Sequence, residues 1–326
     1  MGLKLYDALA GKAGLGATEF LKSEETLALL PNSKLDGPGG QLKGVKYWDE
    51  QFDDARLALA LARTAASKSA LLINYCVATG LIYEDGKVTG LHVKDVKTGM
   101  AYDIKAKSVI NAKQVWADQF RMADGQATER DVKAMVAPIQ GVHIAVDRSF
   151  LPGNQAMLIH ETVDRRVLFA VPWLGKTILG ATNTPRGNLV REPLAYSEEV
   201  NLILNKSAQY LTKAPTHLDI NSIWVGLRPL VKPAADDGDN TKGLAREHTI
   251  LVSKSGLKTL KGGKWATCRA MAEYVLERRS HLLFLDAALG KSLTASVTGP
   301  WQQETEVNPA LKASSALCDK YLLLPD

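Results

Sequence analysis

Four strand patterns follow one another closely in the middle of the chain, and they restrict the fold more than any other feature. They read GVHIAVD, QAMLIHE, RRVLFAVPW and KTILGAT and span 141–182. Strands with such short connections pair antiparallel, because a parallel pair needs a crossover of a dozen or more residues. A helix capped by Ser197 then follows, and it is predicted to cover this sheet with one apolar face, formed by Val200, Ile203, Leu204, Ala208 and Leu211.

A helix and a series of alternating strands precede that sheet. The helix is predicted where Asp53 and Asp54 come before an apolar stripe, formed by Leu57, Ala58, Leu61, Ala62 and Ala65. ALLINYC (70–76) is predicted to form a strand, and Asp85-Gly86 predicts a hairpin between alternating runs. A last apolar strand, 108–112, leads into another helix. This order is typical of an α/β layer with a small β-insertion.

Composition excludes several classes of protein. Hydrophobic residues make up 46% and charged residues 23% of the 326, which is near the globular average and is enough for about two domains. Lys and Arg (40) exceed Asp and Glu (35) only slightly, and the charges are scattered, so no nucleic-acid partner is expected. Cys76, Cys268 and Cys318 have no CxxC spacing, which favours a reducing compartment and argues against a metal site. No apolar run is long enough to span a membrane and no secretory leader is evident, so we expect a cytoplasmic protein.

The stretch around Gly262 and Gly263 has the pattern of a ligand-binding turn. An apolar strand leads into the two glycines, and a helix is predicted from about Lys264. Paired glycines let a ligand approach the backbone, and the free N–H groups of a helix start favour an anion. Lys264 opposes the helix dipole unless a negative group lies in front of it. The alternative is a glycine turn followed by a solvated lysine.

Cationic residues and one histidine are further candidates. Arg228, Arg246 and Lys264 would form a pocket for a small phosphorylated substrate if the fold brings them together, since arginine suits bidentate phosphate recognition. The alternative is that each of the three is a separate cation on the protein surface. His143 alternates with apolar neighbours on a predicted strand. It is either a satisfied core group or a group that exchanges a proton with a substrate hydroxyl.

Seven strings occur in a specific order and spacing over about residues 1 to 279. They are KYWDEQFDDARLALALARTAA, SVINAKQVWAD, QGVHIAVDRSFLPG, VLFAVPWLGKTILGATNTP, WVGLRPLVKP, LAREHTILVSKSGL and GGKWATCRAMAE. Together they resemble the FAD-dependent, aerobic-type glycerol-3-phosphate dehydrogenases. Members of that family oxidise sn-glycerol 3-phosphate to dihydroxyacetone phosphate, passing a hydride to FAD and then electrons to membrane quinone or, in oxidase relatives, to oxygen. The resemblance implies this chemistry, FAD as cofactor and these partners here.

The resemblance also implies roles for individual residues. His143 of GVH would face the substrate hydroxyl, and Arg228 of GLRPL and Arg246 of AREH would hold the phosphate. Lys264 of GGKW would lie near flavin and substrate, so that it forms the implied catalytic set with His143 and Arg228. The implied cofactor contacts are Cys76, Val77, Ala112, Gly262, Gly263, Lys264 and Trp265.

Several positions depart from the family's pattern. The strand, GxGxxG turn and helix that bind the FAD pyrophosphate have no counterpart here, so the chain is expected to lack that unit. The family's NATG is replaced by NAKQ at 111–114, which puts a bulky side chain where a glycine lets the backbone approach the cofactor. Asn183 replaces a carboxylate, and Lys261 replaces a small neutral residue before the glycines.

These features predict an α/β fold of the mixed α+β type. A partial FAD/NAD(P)-binding layer would comprise 50–127 and 245–280. An antiparallel-sheet substrate domain of the D-amino-acid-oxidase-like type would comprise 1–49 and 128–244. Residues 281–326 would form a tail, either a packed helix or one that lies on a membrane surface.

Two functions stay open at this point. The first is FAD-dependent oxidation of glycerol 3-phosphate, with electrons passed to quinone or another acceptor, in the cytoplasm or peripherally at its membrane. The alternative is a truncated, inactive remnant that keeps a phosphate-binding pocket or partners a full-length subunit. Sheet edges left exposed by a missing unit would favour homo-oligomers.

Overall fold

A computed structural model describes residues 4, 7–9, 11, 14–34, 44–49, 51–159, 168–231 and 248–280, without the side chains of 277–280. The chain divides into two compact units. The first unit comprises Met1–Trp48 and Ala137–Pro229, and the second comprises Asp49–Val136 and Leu230–Asp326. The domain roles expected from the sequence stay a prediction, because compactness does not say what each unit binds. The predicted tail and Arg246 lie outside the described residues.

Helices and strands occur in both units, which confirms the mixed α/β class. The helices are α1 (Ser23–Leu29), α2 (Asp54–Ser67), α3 (Ala117–Ala127), α4 (Ser197–Tyr210) and α5 (Cys268–Ser280). The strands are β1 (Glu19–Leu21), β2 (Gly44–Lys46), β3 (Cys76–Glu84), β4 (Lys87–Asp95), β5 (Ala101–Lys105), β6 (Ile110–Asn111), β7 (Val136–Asp147), β8 (Met157–Ile159), β9 (Leu168–Trp173), β10 (Lys176–Gly180), β11 (Thr184–Pro185), β12 (Ser222–Val231), β13 (Thr249–Val252) and β14 (Lys258–Lys261). Within the described residues, no helix is both long and apolar enough to cross a membrane.

An antiparallel sheet forms the centre of the first unit, as the sequence predicts. Its strands lie in the order β11-β7-β10-β9-β8, and β12 also pairs with β7. His143 of β7 lies opposite Gly180 of β10. Val142 and Ile144, its neighbours, are fully buried in the core of this unit. Because side chains alternate along a strand, His143 lies on the face of the sheet opposite that core.

Helix α4 packs on this core but differs from its prediction in two details. Its N-cap is Tyr196 rather than Ser197, and the Tyr196 N–H donates a hydrogen bond to Glu199 Oε2 at 3.0 Å. Ser207 is buried in place of the predicted Ala208, which is exposed. At 3.6 residues per turn, position 207 continues the buried row that contains Ile203.

Strands β3, β4 and β5 form an antiparallel meander in the second unit. The predicted hairpin is confirmed: Asp85 and Gly86 have φ angles of 50° and 71°, as a type I′ turn requires. The predicted strand at 70–76 is wrong, since strand structure begins only at Cys76. Tyr75 has a φ of 54°, and this left-handed conformation interrupts an extended chain.

A second small sheet carries the predicted ligand-binding turn. β14 runs antiparallel to β13 and parallel to β6, with Thr259 opposite Asn111. The predicted strand at 108–112 is reduced to the two residues of β6. Since β6 and β14 are parallel, the segments that follow them leave the sheet at the same edge, where ligands of α/β sheets bind.

Candidate functional site

Arg228 of β12 lies against the backbone of β7 in the first unit. Its Nη1 donates hydrogen bonds to the carbonyl oxygen of Thr182 and to Oδ1 of Asn183, each at 2.8 Å. Both acceptors are neutral groups, and together they orient the guanidinium. A Cβ atom on Gly141 would lie 2.4 to 2.6 Å from three guanidinium atoms. Glycine at this position therefore lets the guanidinium lie on the strand.

His143 stacks on an aromatic ring near this arginine. Its imidazole lies 5.5 Å from the Trp224 ring, centroid to centroid, with the planes 11° apart. Burial first, and the charge of Arg228 second, lower the pKa of His143 from 6.5 to about 4. The ring is therefore neutral near pH 7 and able to accept a proton. A Cβ on Gly180 would lie 2.5 Å from His143 Cδ2, so glycine makes room for the ring.

Glu199 of α4, which is not among the residues predicted from the sequence, is a buried carboxylate that supports this arrangement. Only 4% of Glu199 is exposed. Its Oε1 accepts a hydrogen bond from Thr182 Oγ1 at 3.0 Å, and its Oε2 accepts one from Gln140 Nε2 at 2.6 Å. Burial alone would raise the pKa of Glu199, but hydrogen bonds from Thr184 and the other donors lower it, and the net shift is downward. A sequence signal exists: position 199 lies one turn before Ile203 on the apolar face, where a carboxylate needs buried partners.

Gly262 and Gly263 form the predicted turn before a helix start in the second unit. Their φ angles are 66° and 80°, which glycine adopts without strain. A short 3-10 turn, Trp265–Thr267, follows and leads into α5. A Cβ on Gly263 would lie 2.4 Å from Met271 Sδ. Packing inside the unit thus also requires this glycine.

The other predicted cofactor residues are spread over the second unit. Lys264 is half-buried and its N–H donates to Thr267 Oγ1 at 3.4 Å. Trp265 is 40% exposed and its Nε1 donates to the Asp54 carbonyl oxygen at 3.3 Å. Cys76 and Val77 are half-buried at the start of β3.

The segment after β6 contains a strained residue with an unsatisfied polar atom. Ala112 is exposed there. Gln114 has a φ of 51°, in the left-handed region that favours glycine. Its Oε1 is buried and has no hydrogen-bond partner among the described residues. This segment and the Gly262–Gly263 turn leave the sheet at the same edge, so the orphaned acceptor belongs to the predicted ligand-binding edge.

Replacing Gln114 with glycine is expected to raise the free energy of unfolding by about 1 kcal/mol, because it relieves the left-handed strain and removes a buried unpaired amide. Gln114→Ala separates the two effects, since it removes the amide but keeps a Cβ at positive φ. Urea unfolding of both variants measures the difference. A glycine variant no more stable than the alanine variant would show that the backbone is not strained.

Lys261, the last residue of β14, is a buried cation. It is fully buried, and its Nζ lies 2.9 Å from Met135 Sδ. Burial is the main cause that lowers its pKa, and the charge of Arg121 lowers it further. The charge of Asp118 acts in the opposite direction, and the net result is a fall from 10.5 to about 8. Below pH 8 the folded chain therefore holds a charged amine in an environment that disfavours it.

Lys261→Met is expected to raise the free energy of unfolding by roughly 2 kcal/mol at neutral pH. The folded-state pKa is depressed, so between about 8 and 10.5 the unfolded chain binds the proton while the folded chain releases it. The free energy of unfolding of wild type therefore rises with pH through that range. The difference in free energy of unfolding between Lys261→Met and wild type becomes smaller. Unfolding near pH 7 and again above the folded-state pKa measures this change. Lys94→Met, on an exposed position of β4, is the control and should gain nothing.

The structure brings only some of the predicted site residues together. The Arg228 guanidinium lies at Gly141, two residues from His143 on the same face of β7, and both belong to the first unit. The second unit contains the predicted cofactor contacts, namely Cys76, Val77, Ala112, Gly262, Gly263, Lys264 and Trp265. Their assigned roles stay predictions at this point.

Comparison with known proteins places this geometry in a family. A probable mitochondrial glycerol-3-phosphate dehydrogenase of Caenorhabditis elegans is 38% identical over 280 residues, covering 85% of this chain and 38% of that protein. The mitochondrial glycerol-3-phosphate dehydrogenase of Homo sapiens is 37% identical over 282 residues, covering 84% of this chain and 37% of that protein. The chain thus spans less than half the length of these relatives.

Solved structures have the same fold. The glycerol-3-phosphate dehydrogenase of Bacillus halodurans, complexed with FAD, is 29% identical with a TM-score of 0.69, covering 88% of this chain and 56% of that chain. The L-alpha-glycerophosphate oxidase of Mycoplasma pneumoniae, with FAD bound, is 16% identical with a TM-score of 0.61 over 85% of this chain and 67% of that chain, a likeness of fold alone. The model of the family "FAD dependent oxidoreductase" matches residues 2–269. On sequence and on fold, this chain belongs to the family of FAD-dependent oxidoreductases.

Proposed function

We propose that the chain takes part in the FAD-dependent oxidation of sn-glycerol 3-phosphate to dihydroxyacetone phosphate, with electrons passed on to quinone or another acceptor. One observation carries the proposal: the guanidinium of Arg228, from β12, lies at Gly141 of β7, two residues from the neutral imidazole of His143 on the same face of that strand. A cation for a phosphate and a base for a hydroxyl are the two groups that this substrate needs. Similarity to glycerol-3-phosphate dehydrogenases supports the choice of substrate.

Arg228 binds the phosphate in this proposal. Two neutral acceptors, Thr182 and Asn183, hold its Nη1 in place before substrate arrives, so little side-chain entropy is lost on binding. Arg246 and Lys264 are the further phosphate ligands that the resemblance implies. Binding the phosphate at a fixed point positions the C2 hydroxyl for reaction.

His143 accepts the proton of that hydroxyl as the C2–H bond breaks and the carbonyl forms. Its pKa of about 4 leaves the imidazole neutral at physiological pH, with a lone pair available, and makes it a weak base while the site is empty. The arriving phosphate offsets the charge of Arg228, which is the second cause of the low pKa. Substrate binding therefore raises the pKa of His143 and makes it a stronger base.

The second unit offers features that fit FAD. The left-handed Gly262–Gly263 turn lets a ligand approach the backbone, and the orphaned Oε1 of Gln114 needs a donor such as a flavin or adenine N–H. The glycine turn and Gln114 are flanked by Lys264, Trp265 and Ala112. The proposed contacts to the adenine are Cys76 and Val77. The chemistry that FAD would supply when bound is acceptance of the hydride from C2.

The proposal is tested by incubating the purified chain with FAD, removing free flavin and recording the visible spectrum. We expect a retained flavin band that glycerol 3-phosphate bleaches under anaerobic conditions and that glycerol does not. A dye acceptor then tests turnover. A flavin band that glycerol 3-phosphate leaves unchanged would overturn the proposed reaction.

A phosphate-binding protein without flavin chemistry is the second candidate. The buried Lys261 directly before the glycine turn favours it, because it places a bulky group at the predicted ligand-binding edge. Calorimetric binding of glycerol 3-phosphate by a chain that retains no flavin would support this candidate over the first. Contact with a membrane and self-association remain predictions made from the sequence.

A further inference from the structure

We propose that Glu199 is a positioning residue for substrate binding: acting through Thr182, it fixes the guanidinium of Arg228 on β7. The inference rests on the proposed function for the identity of the ligand. Glu199 touches neither Arg228 nor any group assigned to the substrate, so its effect must pass through the residues between them.

An unbroken series of hydrogen bonds connects the two side chains. Thr182 Oγ1 donates to Glu199 Oε1 at 3.0 Å and accepts from the Val142 N–H at 3.0 Å. The same residue's carbonyl oxygen accepts from Arg228 Nη1 at 2.8 Å. Thr182 is 1% exposed, so water does not replace these partners at low cost. Moving Thr182 therefore moves the acceptor that orients the arginine.

A carboxylate is the group this position requires. Glu199 accepts hydrogen bonds from the Thr182 hydroxyl, the Gln140 amide and the Tyr196 N–H. A glutamine NH2 would meet donors on the side of Gln140 and Tyr196, and on the side of Thr182 it would turn the hydroxyl into an acceptor and leave the hydroxyl proton without its carboxylate. Gln140 in turn accepts from Arg186 Nη1 at 2.8 Å, which extends the network along β7. Glu199 thus joins α4, β7 and the segment after β10 at a single point.

Two substitutions with matched controls test this role in the full-length chain. Glu199→Gln removes the carboxylate, and Glu198→Gln makes the same charge change at an exposed neighbouring position. Thr182→Val removes the connecting hydroxyl. Thr177→Val removes a buried hydroxyl of the same sheet that has no hydrogen-bond partner among the described residues. Affinity for glycerol 3-phosphate is measured by calorimetry.

We expect Glu199→Gln and Thr182→Val each to weaken glycerol 3-phosphate binding by about tenfold. The double variant is expected to bind about as weakly as either single variant, because both act along one path. The affinities of the two controls should stay within about twofold of wild type. The exposed Glu198 carboxylate and the Thr177 hydroxyl, which has no hydrogen-bond partner among the described residues, contribute little. Thermal unfolding monitors the structural cost of each variant separately.

A second readout needs no substrate: the pKa of His143, followed by NMR in the ligand-free chain. The charge of Arg228 holds this pKa down, so a guanidinium displaced by Thr182→Val lets it rise, and Thr177→Val does not. Thr182→Val and Glu199→Gln variants that keep the wild-type affinity and the wild-type His143 pKa, while losing stability, would overturn the positioning role. If wild type binds no glycerol 3-phosphate, the proposed function fails, and the NMR titration still decides the positioning of Arg228.

Discussion

Replacing Arg228 with methionine is expected to weaken glycerol 3-phosphate binding by about a thousandfold, since charge-assisted hydrogen bonds to phosphate oxygens are the strongest single contribution available to this ligand. Arg228→Lys keeps the charge but loses the planar fork that contacts Thr182 and Asn183. We expect the lysine variant to bind about thirtyfold more weakly than wild type. Calorimetry with glycerol 3-phosphate and with glycerol separates the contribution of the phosphate to the affinity from that of the rest of the ligand.

Arg191→Met is the control for the loss of one positive charge, because Arg191 is exposed in the same unit. It should bind as wild type does at moderate ionic strength. Arg228→Met should also raise the pKa of His143 from about 4 in the ligand-free chain, since one of the two causes of its depression is removed. If Arg228→Met and wild type bind glycerol 3-phosphate with equal affinity, then Arg228 does not bind the phosphate.

Gly141→Ala is expected to weaken the same binding by about thirtyfold while lowering the free energy of unfolding by only about 1 to 2 kcal/mol. A Cβ at this position would lie 2.4 Å from Arg228 Nη1, so the guanidinium must leave its place on β7. The cost in stability is limited to the lost hydrogen bonds to Thr182 and Asn183, because the obstructed atoms are the end of a flexible side chain and because alanine suits a strand interior better than glycine. Weaker binding by a chain that stays folded is therefore the diagnostic result.

Gly226→Ala provides the matched control for Gly141→Ala. Gly226 lies on β12, two residues before Arg228, and a Cβ there meets nothing within 4 Å. Calorimetry and urea unfolding of both alanine variants give the comparison. If Gly226→Ala and Gly141→Ala bind glycerol 3-phosphate equally well, then the guanidinium position on β7 does not control affinity.

Local sequence patterns were sufficient for the features whose causes are local. The Asp85-Gly86 pair predicts a hairpin because a type I′ turn needs positive φ angles at both residues, and the structure has them. Alternation around His143 predicts that Val142 and Ile144 face the core, and both are fully buried. The same reasoning failed at 70–76, where the residues have strand propensity but Tyr75 adopts a left-handed conformation.

Sequence by itself therefore determined the mixed α/β class, the antiparallel sheet, the glycine turn and the identity of His143 and Arg228 as candidates. Tertiary structure alone decided that the Arg228 guanidinium rests on Gly141 and that Glu199 is buried in a hydrogen-bond network. It also decided that the Gln114 acceptor, which has no partner among the described residues, lies at the predicted ligand-binding edge. Hydrophobic periodicity reports which face of an element is buried, whereas the partner of a polar group depends on elements far apart in the chain that only folding brings together.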